Sequence, residues 1–506
     1  MYQSYYRQKL INYCCLCIKF CLHLVYAKIL FILNIESIMR LKSIFTNSFG
    51  ILLSRIFGFL RDVVMASALG ASYWSDIFFL ANRLPNVFRN IFAEGAFTQA
   101  FMPSFVASSN KGVFSTAIFL RFSLFIIFGS LLVSVAPEYL TQIQAMGWSA
   151  SRIADTAPLT AINFWYMYLI FIVTFIATLL QYKEHFITTA LSTVLLNISM
   201  IVALLIFMKD DPKTIAYALS ISVLIGGVLQ VFVHVIALYK LKLSRLLVGG
   251  WKYRKTKEIN QEKKKFTSLF IPAVWGGSSM QINSFVGTII ASFLVTGSVS
   301  YLAYAQRIFQ LPLALFAIAT ATALFPSISK ALKNNNETLA YANLSKGFWL
   351  LSFALGFATI GGVLLCEPII WVLYERGIFD SHKTMQTAEV LSMFMLGLLP
   401  LGLSKLFSLY LYATYRHGKA AMIATISVVV NILSSLALMD AMGAAGLALA
   451  GSIGGWVLFI FTVKEVGFDK FLYIVKSKNT LYFLLCMLIF SIFIYFINIW
   501  LMGLIR

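Results

Sequence analysis

Long runs of apolar residues, separated by short polar loops, dominate this sequence from Ser43 onward. A helix needs about 20 apolar residues to cross a bilayer, and about thirteen runs approach that length. The runs lack the alternating pattern of about ten residues that marks a membrane barrel. Because 60% of the residues are hydrophobic and only 12% are charged, lipid must surround most of the chain. The sequence therefore predicts an all-α polytopic membrane protein.

One long polar stretch divides the predicted spans. It predicts a basic cytoplasmic linker at 242–265 between two six-helix bundles, at 39–241 and 266–465, which are followed by a C-terminal transmembrane helix at 466–506. The individual spans lie near residues 45–66, 77–105, 113–136, 158–182, 186–208, 214–241, 266–295, 299–325, 346–366, 386–414, 420–439, 444–463 and 479–505.

The net charge of +21 would favour a nucleic-acid partner in a soluble protein. In a membrane protein, however, Lys and Arg accumulate in the cytoplasmic loops. With Arg40 and Lys42 placed inside, about 22 basic residues fall on the inner side and about 6 on the outer side. We therefore expect no nucleic acid, and a multi-pass protein of the inner (cytoplasmic) membrane whose core begins in the cytoplasm.

The first 38 residues differ from the rest of the chain in their cysteine content. They contain four of the six cysteines, and no second cysteine cluster exists to complete a disulfide framework or a zinc site. We therefore expect no metal. The segment that starts Met39-Arg40-Leu41 is typical of a natural N-terminus. Residues 1–38 are interpreted as an N-terminal extension from a mis-assigned start, with a weak extra helix as the alternative.

The two halves contain a repeated pattern. In each, an arginine in the second span is followed by an internal proline and then by a terminal Pro-Ser: Ala81-Asn82-Arg83-Leu84 with Phe101-Met102-Pro103-Ser104, and Ala305-Gln306-Arg307-Ile308 with Leu324-Phe325-Pro326-Ser327. With six spans in each half, such a repeat is parallel, related by an axis along the membrane normal. It predicts a central cavity between the halves.

Ionisable residues inside the predicted spans carry the chemistry. Each costs at least about 2.5–3.5 kcal/mol at the bilayer centre, so four arginines together would cost on the order of 10–14 kcal/mol in lipid. They should line a hydrated interior instead, with Pro85 kinking the second span and Gly58 able to bend the first. Guanidinium groups match phosphate oxygens, so the cavity should bind an anionic pyrophosphate. The candidate substrate-binding residues are Arg55, Arg61, Asp76, Arg89 and Arg307.

A second tier of candidates comprises Asp62, Arg83, Glu94 and Lys405. For all of these residues a structural alternative stays open. Acids and arginines could form interhelical ion pairs that only hold the fold, and side chains near span ends could reach the interface. No residue pattern indicates a catalytic centre, because the loops are short and poor in Asp, Glu and His.

At these residues the sequence resembles the MurJ/MviN family of lipid II flippases, in the multidrug/oligosaccharidyl-lipid/polysaccharide transporter superfamily. The resemblance covers essentially all of 39–465. It rests on Ser54-Arg55, Gly58-Phe59-Leu60-Arg61-Asp62, Asp76-Ile77-Phe78-Phe79, Leu84-Pro85-Asn86, Ile91-Phe92-Ala93-Glu94-Gly95-Ala96-Phe97, Tyr304-Ala305-Gln306-Arg307 and Tyr374-Glu375-Arg376-Gly377-Ile378-Phe379.

The resemblance implies a V-shaped bundle that moves undecaprenyl-pyrophosphate disaccharide-pentapeptide from cytoplasm to periplasm by alternating access. It also implies coupling to membrane potential or an ion gradient, without a cofactor, and functional arginines in the cavity. Two departures stand out. Gln306 and Gln310 replace acids that often flank the arginine of span eight, and the family usually has fourteen spans rather than thirteen.

The leading hypothesis is therefore a lipid II flippase, a transporter and not an enzyme, with a lipid-linked pyrophosphate glycolipid as substrate. Membrane lipids and proteins of cell-wall synthesis and division are the further expected partners. The alternatives are an exporter of other lipid-linked oligosaccharides or drugs, a polyprenyl-phosphate membrane enzyme, and a scaffold of the cell-wall machinery.

Overall fold

A computed structural model describes residues 38–91, 95–253 and 259–505, and every regular element in these ranges is helical. The predicted all-α class is therefore confirmed. The extension before Ile38 and the candidate Glu94 lie outside the described residues.

The helices follow one another with short connections. Their bounds are α1 Ile38–Leu69, α2 Tyr73–Ala81, α3 Arg83–Ile91, α4 Phe97–Ala107, α5 Lys111–Val135, α6 Pro137–Gln144, α7 Ala150–Phe164, α8 Tyr166–Tyr182, α9 Ile187–Phe207, α10 Pro212–Lys240, α11 Ser244–Tyr253, α12 Asn260–Ala291, α13 Ser298–Pro312, α14 Ala319–Lys333, α15 Glu337–Leu364, α16 Cys366–Tyr374, α17 Ser381–Met395, α18 Leu398–Ala413, α19 His417–Val466, α20 Phe468–Val475 and α21 Lys478–Ile505. We call the end where α1 gives way to α2 the clasp end, and the end where α10 gives way to α11 the linker end.

Each predicted span corresponds to one or two of these helices, except the span at 77–105, which covers parts of α2, α3 and α4. Within the described chain, nine helical segments are long and apolar enough to cross a membrane. One of them, α19, contains 50 residues and breaks at Gly443, whose φ of 54° and ψ of −131° are not helical. The sequence divides two predicted spans at the same place. The protein is a multi-pass membrane protein, and the number of thirteen crossings stays a prediction.

Proline interrupts the second span of each half. In the N-terminal half the span is divided between α2 and α3 just before Pro85. In the C-terminal half α13 passes into a π-helical turn, Leu313–Ile318, directly after Pro312. Proline lacks an amide hydrogen and crowds the preceding turn, so it removes one backbone hydrogen bond and weakens the helix just before it. The kink expected at Pro85 is found, whereas α1 runs through Gly58 without a break.

Aromatic side chains fill the core of the N-terminal half near the linker end. Phe97, Phe101, Phe114 and Phe175 are fully buried there, and Phe266 of α12 packs among them. Rings 5–7 Å apart in edge-to-face and offset arrangements attract one another beyond their burial. Since α12 begins the C-terminal half, this cluster joins the two halves on the α4 side of the bundle.

The predicted linker contains a short helix, α11, that packs against α5 through two glycines. A Cβ atom at Gly250 would lie 2.0 Å from the carbonyl oxygen of Gly112, whereas a Cβ at the neighbouring Gly249 would meet nothing within 4 Å. Only glycine permits so close an approach of two backbones. The linker is thus partly a helix docked on the bundle.

Gly250→Val should displace α11 from α5, because the added atoms overlap the Gly112 backbone. Overpacking of this kind costs about 1–3 kcal/mol. Thermal unfolding in detergent should show a lower Tm for this variant, with Gly249→Val as the matched control on the open side of the same helix. Equal Tm values for the two variants would show that the contact does not hold the linker.

Candidate functional site

Asp62 of α1 joins two arginines from opposite halves of the chain. Arg61 donates from Nε and Nη2 to Asp62 Oδ1 at 3.0 and 2.6 Å, and Nε of Arg307 on α13 lies 2.9 Å from Asp62 Oδ2. The carboxylate is buried, whereas 49% of the Arg307 side chain is exposed. Two guanidinium groups share one carboxylate, so a positive charge is left over inside the bundle.

Asn197 of α9 holds Arg61 in place. Arg61 Nη1 donates to Asn197 Oδ1 at 3.1 Å, and Asn197 Nδ2 donates to the carbonyl oxygens of Ser54 and Thr193 at 3.3 and 3.2 Å. The asparagine therefore links α1 and α9 while it orients the guanidinium. Sequence reasoning missed this residue, although a lone amide within the apolar run of α9 is a signal, because a polar group in lipid must find a partner.

A second arginine crosses between the halves in the opposite direction. Nη2 of Arg83, in the second span of the N-terminal half, donates to the carbonyl oxygen of Ser284 on α12 at 2.7 Å and also contacts the Ser284 hydroxyl. Arg307 occupies the corresponding place in the repeat and reaches back to the first span of the N-terminal half. The two arginines at corresponding places in the repeat thus each contact the other half. Arg307 contacts a carboxylate there, whereas Arg83 contacts the backbone and hydroxyl of a serine.

Two exposed side chains lie on the linker-end side of the ion pair between Asp62 and Arg307. Arg55 lies two helical turns before Asp62 on the same face of α1 and is exposed. On α13, Leu311 lies one turn beyond Arg307 on the same face and is also exposed. Both helices therefore have exposed side chains on the linker-end side of the Asp62–Arg307 ion pair.

Arg89 of α3 points into a different space, within the N-terminal half. It borders a cavity of about 140 Å³, and its buried Nε has no hydrogen-bond partner among the residues that the structure describes. Such a volume accommodates several water molecules. Hydroxyl and amide groups in the cavity lining can form hydrogen bonds with water. They belong to Thr98, Thr174, Gln181, Thr189, Ser192, Thr193 and Gln230.

Asp76 lies apart from the arginine cluster, at the clasp end. Its carboxylate accepts hydrogen bonds from the backbone amides of Gly297 and Ser300 at 2.7 and 2.9 Å, and from the Ser300 hydroxyl at 2.6 Å. Arg152 donates to it at 2.8 Å. The structure therefore places Asp76 in a contact that closes the two halves together.

Further contacts seal the same end. The amide of Ile378 donates to Ser67 O at 3.1 Å, and Tyr304 Oη donates to the Gly70 carbonyl at 3.2 Å. The Gly147 amide donates to Ser292 Oγ at 3.0 Å. In each pair one partner comes from each half. We call this set of contacts, with those of Asp76, the clasp.

Lys405 completes the candidates whose positions are described. It lies on α18, half-buried, and forms no ion pair with any residue that the structure describes. Among the described residues, no three His, Cys, Asp or Glu side chains gather as they would around a metal ion. The structure brings Arg61, Asp62 and Arg307 together and leaves Arg89, Asp76 and Lys405 elsewhere. The substrate-binding roles of all these residues stay predictions.

The chain matches the family model described as "Lipid II flippase MurJ" over residues 65–505. It is 48% identical over 428 residues to a probable lipid II flippase MurJ of Helicobacter pylori (strain ATCC 700392 / 26695), which covers 82% of this chain and 93% of the relative. It is 34% identical over 415 residues to a probable lipid II flippase MurJ of Rhizobium tropici, covering 80% of this chain and 76% of that protein.

Solved structures show the same architecture. A structure described as lipid II flippase MurJ in an inward closed conformation superposes with a TM-score of 0.74 at 28% identity, over 91% of this chain and 99% of that one. An inward-facing multidrug resistance MATE family transporter of the MOP superfamily superposes with a TM-score of 0.64 at 14% identity, over 86% and 99%, and shows the fold alone. The resemblance seen in the arginine motifs is confirmed: this chain belongs to the lipid II flippase MurJ family.

Proposed function

We propose that this protein is a transporter that moves lipid II, a lipid-linked pyrophosphate precursor of the cell wall, across the inner membrane by alternating access. The observation that carries the proposal is the pair of arginines, Arg61 and Arg307, that share the single carboxylate of Asp62 between the halves. Family membership supports the same substrate.

The chemistry of the arginine pair fits a pyrophosphate. Charge-assisted hydrogen bonds from planar guanidinium groups to phosphate oxygens are short and strong, and two such groups can bind a diphosphate from both sides. Arg307 is half exposed and bonded to Asp62 through one nitrogen, so it retains donors for a ligand. A drug exporter for cationic compounds would need acids here rather than arginines.

Binding at this place would couple the substrate to the position of the halves. Arg61 belongs to one half and Arg307 to the other, so a pyrophosphate that contacts both changes the relative stability of the open and closed arrangements. A ligand shifts the equilibrium between two conformations only if it binds one of them more tightly than the other. The excess positive charge between the halves would also respond to the membrane potential or to an ion gradient, which can therefore drive transport without a cofactor.

The distribution of basic residues orients the protein. The linker end carries the Lys-rich segment at 242–265, and the tendency of basic residues to stay inside supports a cytoplasmic position for it. The clasp end would then face the periplasm, the core would begin in the cytoplasm, and Arg55 would lie toward the side where the precursor is made. Arg55, Arg61 and Arg307 serve as the substrate-binding set, whereas Arg89 borders a separate cavity and Asp76 acts at the clasp.

Rapid depletion of the protein from growing cells tests the proposal. Lipid II should accumulate in the inner leaflet and become inaccessible to a periplasmic enzyme that cleaves it, because no carrier remains for its charged headgroup. The assay measures the cleaved fraction of labelled lipid II before and after depletion, with cells that keep a plasmid copy as the control. An unchanged cleaved fraction after complete depletion would refute the flippase activity.

A further inference from the structure

The carboxylate of Asp76 acts as a helix cap across the interface between the halves. The helix α13 begins after Gly297, a residue with φ of 97° and no side chain that could cap the free amides of the first turn. Asp76 of the other half accepts hydrogen bonds from two of those amides and from the Ser300 hydroxyl. A carboxylate at a helix N-terminus is also favoured by the helix dipole. One part of the clasp is therefore a charge inserted into the end of a helix.

Asp76 is 1% exposed, so this charge needs a counter-charge. Arg152 of α7 supplies it. Its Nη2 donates to Asp76 Oδ2 at 2.8 Å, and its Nη1 donates to Thr296 Oγ1 at 3.4 Å. Only 7% of Arg152 is exposed.

Two aromatic rings hold the Arg152 guanidinium in this position. Its central carbon lies 3.9 Å from the ring centroid of Trp148 and 4.9 Å from that of Tyr73. The Tyr73 hydroxyl donates to Asp155 at 2.9 Å, which fixes the ring from behind. Cations stack on aromatic faces in this distance range. All four of these residues belong to the same half as Asp76, so the support moves with it.

We propose that Arg152 is a positioning residue of the transport cycle, which neutralises and aims Asp76 so that its carboxylate can close the clasp on α13. Opening removes Asp76 from Gly297 and Ser300, but Arg152 stays beside it because both lie in one half. The carboxylate is thereby returned to the helix end in the same orientation at each closure. The proposal rests on the alternating access described above.

Disulfide cross-linking across the clasp tests this inference. Ser67→Cys and Ile378→Cys, in the full-length chain with its native cysteines changed to serine, place one thiol on each half beside a clasp contact that does not involve Asp76. The measurement is the fraction of membrane-inserted protein that forms the disulfide. We expect Arg152→Gln to lower this fraction at least tenfold, because Asp76 is left buried without a counter-charge.

A double-mutant cycle separates positioning from a general loss of structure. If Arg152 acts mainly through Asp76, adding Arg152→Gln to Asp76→Asn should lower the disulfide fraction far less than Arg152→Gln does alone, because only the long hydrogen bond to Thr296 of the other half is then lost. Arg152→Lys, which keeps the charge but loses the stacking and the second hydrogen bond, should lower it less than Arg152→Gln. Arg416→Gln, at an exposed arginine of the linker end, is the control and should have no effect.

Two results would overturn the inference. One is a disulfide fraction unchanged by Arg152→Gln, and the other is an equally large fall in the Asp76→Asn background. Should Arg152→Gln not reach the membrane, the same cycle with Arg152→Lys decides the matter. The cross-linking assay does not depend on transport. It can therefore test the role of Arg152 even if the lipid II proposal fails, and the depletion assay can test lipid II transport even if the role of Arg152 is refuted.

Discussion

Arg61→Ala or Arg307→Ala will abolish growth in cells that depend on this protein, while the variant protein still reaches the membrane. Each change removes one of the two guanidinium groups that we expect to bind the pyrophosphate from opposite halves. For Arg307→Ala the fold should persist, because Asp62 keeps both hydrogen bonds from Arg61. Complementation of a depleted strain measures transport, and immunoblots of membranes measure insertion.

The matched control for this experiment is Arg245→Ala, at an exposed arginine of α11 on the linker end. It removes the same charge from a place on the linker helix, away from the arginine pair, and should leave growth normal. If cells with Arg61→Ala and Arg307→Ala grow as fast as the wild type, the arginine pair is not the substrate site.

Asp62→Asn will remove both function and stability. The carboxylate is 1% exposed and is the counter-charge for two guanidinium groups. Removing one partner of a buried ion pair costs about 3–5 kcal/mol, because the other charge is left uncompensated. The lower figure should apply here, since Arg307 is half exposed and water can solvate it. Thermal unfolding in detergent should show a lower Tm, and complementation should fail.

Asp210→Asn provides the comparison for Asp62→Asn, because Asp210 is exposed in the loop before α10. Its Tm and growth should match those of the wild type. A stable Asp62→Asn protein that supports normal growth would mean that the arginines find their counter-charge elsewhere.

Much of the fold was open to prediction. Apolar runs long enough to cross a bilayer must become helices, because lipid leaves backbone groups no partner outside a regular helix or a closed barrel. The irregular turns beside Pro85 and Pro312 were predicted from proline chemistry, although the helices that contain Pro103, Pro158, Pro272 and Pro326 continue unbroken. The helix α11 inside the predicted linker was missed, because a polar stretch that contains two glycines gives only a weak helical signal.

The site was predicted only in part. An ionisable residue within an apolar run is rare and therefore easy to recognise from the sequence. For this reason Arg61, Asp62 and Arg307 were all predicted, although Asp62 was ranked in the second tier. Sequence could not show that Asp62 is shared by both arginines, since Arg307 is far from it along the chain. Arg152 escaped notice, because its place outside the predicted spans made it one of several ordinary loop charges.

The sequence by itself determined that this protein lies in the membrane, that its halves repeat, and that permanent positive charge lies within the spans. These follow from hydrophobicity, helix length and side-chain chemistry, which act locally along the chain. Only the tertiary structure decided which charges neighbour one another: that Asp62 binds both Arg61 and Arg307, and that Asp76 caps a helix of the other half beside Arg152. Such pairings depend on how helices far apart in the sequence pack together, because ion pairs and hydrogen bonds form only between groups a few ångströms apart.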